Sequence, residues 1–90
     1  MRRILRVDGS SEPLDRPHSR DEIRKLLGDG ALKSMILWHM GEPLHVMLLT
    51  EERDELNQKA TALYRKNHGR SILTIHGDVI IAPESEVRVP

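Results

Sequence analysis

The chain of 90 residues has no cysteine and no phenylalanine, and only one tryptophan and one tyrosine. Without thiols it can build neither a disulfide framework nor a thiolate metal site, and nothing in it points to an oxidising compartment. Without phenylalanine its interior falls to Leu, Ile, Val and Met. Net charge is lacking as well: fourteen Lys plus Arg balance fourteen Asp plus Glu. No whole-chain field therefore draws in nucleic acid or anionic lipid, and any such binding must be local. No apolar run is long enough to span a bilayer, and the basic start, Arg2-Arg3-Ile4-Leu5-Arg6, lacks the apolar stretch of a signal peptide. The expectation is a cytoplasmic protein with no membrane role.

What is present reads as one small domain, residues 1–90, close to the size at which a single core stabilises only marginally. Residues 2–7 alternate Arg3, Leu5 and Val7 against Arg2, Ile4 and Arg6, the pattern of an edge strand with one wet face. Residues 8–18 collect turn and breaker residues, including Pro13 and Pro17, and predict a loop. Ser19 with Glu22 three residues later forms a capping box. Ile23, Leu26 and Leu27 follow on one face and Gly28 ends this first helix.

Two apolar runs, Leu32–Met40 and Leu44–Thr50, flank Gly41-Glu42-Pro43 and predict a hairpin. A three-residue loop would set His39 opposite His45, Leu37 opposite Met47 and Met35 opposite Leu49, with Ile36, Trp38, Met40, Leu44, Val46 and Leu48 on the other side. Both faces are then apolar and need cover, one by helices and the other by a helix, a sheet or a second subunit. This predicts a homodimer, with Trp38, Met40 and Met47 as interface residues and Trp38 as the anchor. The plainer reading of these side chains is ordinary core.

An acidic connection leads to a second helix, which Asn57 caps and whose stripe is Leu56, Ala60, Leu63 and Tyr64. Beyond Gly69, two β-rich runs on either side of Gly77-Asp78 predict a tight hairpin, and residues 84–90 a loosely held tail. The sum is an α+β fold: a mainly antiparallel sheet of about five strands with two short helices, in the order β-α-β-β-α-β-β.

The helix "NQKATALYRKN" and the strand "IHGDVIIAP" resemble a family of small proteins of unknown function encoded by phages, prophages and bacterial genomes. The likeness lies in Asn57, Ala60, Thr61, Leu63, Tyr64, Ile75, Gly77, Asp78, Val79 and Pro83, and covers residues 20–83. Such relatives often carry a longer link between helix and strand than His68-Gly69-Arg70-Ser71. The resemblance implies a phage or mobile-element setting, in the cytoplasm of a bacterial host, and transfers no catalytic residue.

Lys59, Arg65, Lys66 and Arg70, with no acid between Asn57 and His76, form a local basic patch. The plainer reading is a solvated helix face with cations near its C-terminal dipole. The sharper one is an anion site for a nucleotide, another phosphate-bearing ligand or a nucleic-acid backbone. Paired across a hairpin, His39 and His45 could ligate a metal, but no third ligand is evident, so no metal and no cofactor are expected. Asp78 tempts as a base but reads as a turn residue. No Cys nucleophile, G-x-S-x-G elbow, P-loop or Rossmann glycine run occurs, so catalysis is not expected. The reading is a stoichiometric binding or interaction module, acting on a host protein, with anion or nucleic-acid binding as the alternative and an enzyme as the remote one.

Overall fold

A computed structural model describes residues 2–51, 53–69 and 73–87. The elements are β1 (Arg3–Leu5), β2 (Ser11–Pro13), α1 (Arg20–Leu26), β3 (Leu32–Leu37), β4 (His45–Thr50), α2 (Gln58–His68), β5 (Val79–Pro83) and a closing 3-10 turn at Glu84–Glu86. All five strands join one sheet in the order β2-β1-β5-β4-β3, every neighbouring pair antiparallel. The fold is α+β, with one helix on each face of the sheet.

The apolar period of β4 decides this arrangement. All six of its residues are buried, which requires cover on both sides. Val46 and Leu48 pack with Ile4, Ile80 and Ala82 beneath Ile23 and Leu27 of the α1 region. Met47 and Leu49 pack with Leu5, Val79 and Ile81 beneath Ala60, Leu63 and Tyr64 of α2. The ribbon greasy on two sides exists, and one copy of the chain covers both. The physical reason for a second subunit therefore disappears, and Met47, at 0% exposure, is core and not interface.

The hairpin register differs from expectation. Leu37 pairs with His45 and Met35 with Met47, and the connection runs over residues 38–44. The shift is two residues, so the side chains within β3 and β4 keep their expected faces, while Met40, now in the connection, packs on the α2 side instead of with Val46 and Leu48. It does separate the histidines: His45 is buried with Nδ1 donating to Pro43 O at 2.7 Å, whereas His39 stands exposed in the loop. They do not face one another.

The strand order also departs at both ends of the chain. β1 is an interior strand between β2 and β5, with Ile4 and Leu5 buried on opposite faces, and not an edge with a wet side. The loop over 8–18 contributes the edge strand β2, whose Pro13 is tolerated because an edge needs no outward N–H. Of the expected strand before Gly77, residues 73–75 are not strand and His76 makes only an isolated bridge to Leu56, while Ser71 and Ile72 lie outside the described residues. Gly77, at φ 81, turns the chain straight into β5 without a hairpin. The observed order is β-β-α-β-β-α-β.

Both helices start where their caps predict. Ser19 Oγ accepts from Glu22 N–H while the Glu22 carboxylate accepts from Ser19 N–H, and Asn57 Oδ1 accepts from Ala60 N–H. Two expected core leucines, Leu26 and Leu56, are exposed instead. The tail is held as far as Val87: Glu84 N–H donates to Leu44 O, Arg2 pairs with Glu86 at 2.8 Å and Val87 is buried. Residues 88–90 lie outside the described residues.

Candidate binding surface at the hairpin tip

The connection between β3 and β4 is tied down to α2. His39 N–H donates to Asn67 Oδ1 at 2.8 Å, and Asn67 Nδ2 in turn donates to Leu63 O within the helix. His68 Nε2 donates to Ile36 O at 2.8 Å, its ring stacked on Tyr64 with centroids 4.3 Å apart. Met40 reaches back into the α2-side core. The last turn of α2 thus fixes the backbone at residues 36 and 39. Trp38, between these two fixed points, is 60% exposed, and Ile36 is 37% exposed.

β3 is also a free edge among the described residues. The Glu51 N–H bond to Ala31 O sets the phase of the ladder, so Lys33, Met35 and Leu37 turn their backbone groups toward β4. Leu32, Ser34 and Ile36 turn theirs outward, and the Ile36 carbonyl is the one His68 meets. The opposite edge, β2, is only three residues long and carries Pro13, features that blunt pairing.

Of the basic residues singled out in the sequence, Lys59, Arg65 and Lys66 stand exposed on the outer face of α2, opposite Ala60, Leu63, Tyr64 and Asn67. None of the three pairs with an acid among the described residues. Arg70 lies outside the described residues. The N-terminal arginines do not extend this face as free cations: Arg2 pairs with Glu86, and Arg6 with Asp78 at 3.5 Å and Glu12 at 3.7 Å, while Arg3 donates to Ser11 Oγ. Of the expected interface residues, Trp38 is at the surface, Met40 is half-buried beneath it and Met47 is inside the sheet.

The residues that carry the family resemblance form a joint rather than a site. Asn57, 0% exposed, accepts from Ala60 N–H and donates from Nδ2 to Leu5 O at 3.0 Å and Gly77 O at 2.9 Å. Thr61 Oγ accepts from Ile75 N–H at 2.8 Å. Asp78 Oδ1 accepts from Val7 N–H at 2.9 Å, capping the end of β1.

Arg53 was not legible as a structural residue, because it sits in a charged connection with no periodicity. Its guanidinium donates to Thr50 Oγ1, Leu27 O and Gly28 O, covering the C-terminal end of α1. It also lines an open depression of about 340 Å³ with Leu26, Asp54, Glu55 and Asp78. Among the described residues no group of three or more His, Asp or Glu side chains could hold a metal ion, and no helix is long and apolar enough to cross a membrane.

Compared with known protein families, curated proteins and solved structures, the chain matches none.

Proposed function

We propose that this protein is a stoichiometric binding module that docks a partner protein on the hairpin tip, with Trp38 as anchor and without catalysis. The observation that carries the reading is the 60% exposure of Trp38 on a backbone held by α2 on either side of it, at Ile36 and at His39. Aromatic side chains dominate interface energetics, and one presented by a tethered loop loses little conformational freedom on docking. The phage or prophage setting implied by the resemblance suits a small protein that occupies a host factor.

The test is affinity capture from bacterial lysate with wild-type protein and with Trp38→Ala side by side. A partner recovered in about equimolar amount by the wild type and lost by the variant, whose melting temperature stays within a degree or two, supports the reading. A partner retained by both overturns it.

One observation favours a second reading: Lys59, Arg65 and Lys66 share an exposed face with no acid against them among the described residues. An anion or nucleotide bound there would raise the melting temperature in a salt-sensitive way, and Arg65→Ala with Lys66→Ala would abolish the rise.

A further inference from the structure

Thr74 and His76 share a hydrogen bond that neither the sheet nor the tip uses. Thr74 Oγ1 lies 2.9 Å from His76 Nε2, and His76 Nδ1 lies 2.9 Å from Asp54 O. A carbonyl oxygen only accepts, so Nδ1 carries the ring proton, Nε2 is bare, and the Thr74 hydroxyl donates to it. Hydroxyl, imidazole and carbonyl in this order are a nucleophile, its base and the group that orients the base.

The pair stands on an anchored stretch of chain. Ile75 N–H donates to Thr61 Oγ1 at 2.8 Å, Ile75 O accepts from Asn57 N–H at 2.8 Å, and Gly77 N–H donates to Glu55 O at 2.8 Å. The backbone is therefore held on both sides of His76, and the bond to Asp54 O holds the ring.

Both side chains line an open depression of about 260 Å³. Met35, Leu49, Leu73 and Ile75 give it apolar walls, and Lys33, which pairs with no acid among the described residues, gives it a cation. A short apolar acyl chain fits such walls. A phosphoryl group fits them less well, because Glu51 lines the same depression and the Arg53 guanidinium is already committed to Thr50 and the end of α1.

We infer that Thr74 is an acyl-acceptor site, which takes one short acyl group from an activated ester with His76 as base. Thr74 Oγ forms the bond to the acyl carbon as its proton passes to His76 Nε2. The bond from that carbon to the leaving oxygen breaks, and the proton passes from Nε2 to the departing group. The Lys33 ammonium supplies positive charge in the depression where the oxyanion develops. The product is a threonyl ester, one per chain, a covalent modification rather than turnover. It goes beyond the docking of a partner at the tip and uses neither Trp38 nor Ile36.

The experiment incubates the full chain with p-nitrophenyl butyrate, follows release of nitrophenolate and locates the butyryl group by tandem mass spectrometry. Hydroxylamine removes an ester from Thr74 but leaves an amide on a lysine, which separates the site from unselective acylation. The expected result is a hydroxylamine-labile butyryl group on Thr74. Thr74→Ser should keep it and Thr74→Val should lose it, with melting little changed because the side chain is exposed. His76→Gln should slow the labelling about a hundredfold, the usual contribution of a positioned base. Thr74→Val tests the same assignment without disturbing the half-buried ring.

Butyryl groups on lysines alone overturn the site. Labelling of Thr74 as fast in His76→Gln as in the wild type overturns the role of His76 and, with it, the inference.

Discussion

Asn57 joins three separate stretches of the chain through one side chain. Fully buried, it caps α2 with its oxygen and joins β1 to the turn before β5 with its nitrogen. Asn57→Asp keeps the shape and the cap but replaces the two donors by an acceptor facing two carbonyls. The expected cost is about 2–4 kcal/mol of unfolding free energy, read by denaturant titration, against about 1 kcal/mol for loss of an exposed cap. A cost below that of an ordinary cap would show that the joint tolerates loss of these bonds. The cap itself is legible from an Asn placed before an apolar stripe. Its second role is not, because Leu5 and Gly77 are far from it in sequence and only the folded sheet brings them to one atom.

At the scale of elements, α1 owes its start to a capping box that is also an ion pair. Glu22, bonded by Arg16 at 2.7 Å and by Ser19 N–H at 3.1 Å, is held down to about 2 from the ordinary carboxyl value of 4.5. The Arg16 guanidinium is the larger cause and the backbone bond the smaller. The folded value lies below the unfolded one, so the contribution is complete above about 4.5 and fades as pH falls toward 2. Glu22→Gln should therefore melt lower than wild type at neutral pH, with the difference closing as the pH is lowered through this window. A difference that persists unchanged at the acid end would contradict the assignment.

Helix starts were readable because caps are local chemistry: Ser19, Glu22 and Asn57 are signals within three residues of the bonds they make. Strand partners were not. β2 lies in a breaker-rich stretch, where pairing to β1 and not propensity makes it a strand. The residues before Gly77 look like strand by composition, yet Thr61 takes the Ile75 N–H that a ladder would have used. The hairpin connection is longer than its glycine and proline suggest, and the two-residue shift keeps the faces of the strand residues but not that of Met40.

For the whole molecule, the decisive feature is closure. A ribbon apolar on both sides was legible, but whether a second subunit or the chain itself covers it depends on where α1 and α2 land. They land on opposite faces of β4. Sedimentation equilibrium should accordingly give a monomer at micromolar concentration, and a dimer there would place its seam at the exposed tip or the β3 edge, not on the covered faces of the sheet. The candidate surface is half visible in the sequence: Trp38 stands out there, but Asn67 and His68, which fix the backbone on either side of it, read only as the end of a helix.

The docking surface requires Trp38 to be open to water in the free protein, and collisional quenching of its emission tests this directly. In the free protein at low salt, the account predicts a red emission maximum independent of protein concentration. Acrylamide, an uncharged quencher, should reach it nearly as readily as it reaches free indole. A blue, poorly quenched emission would contradict it.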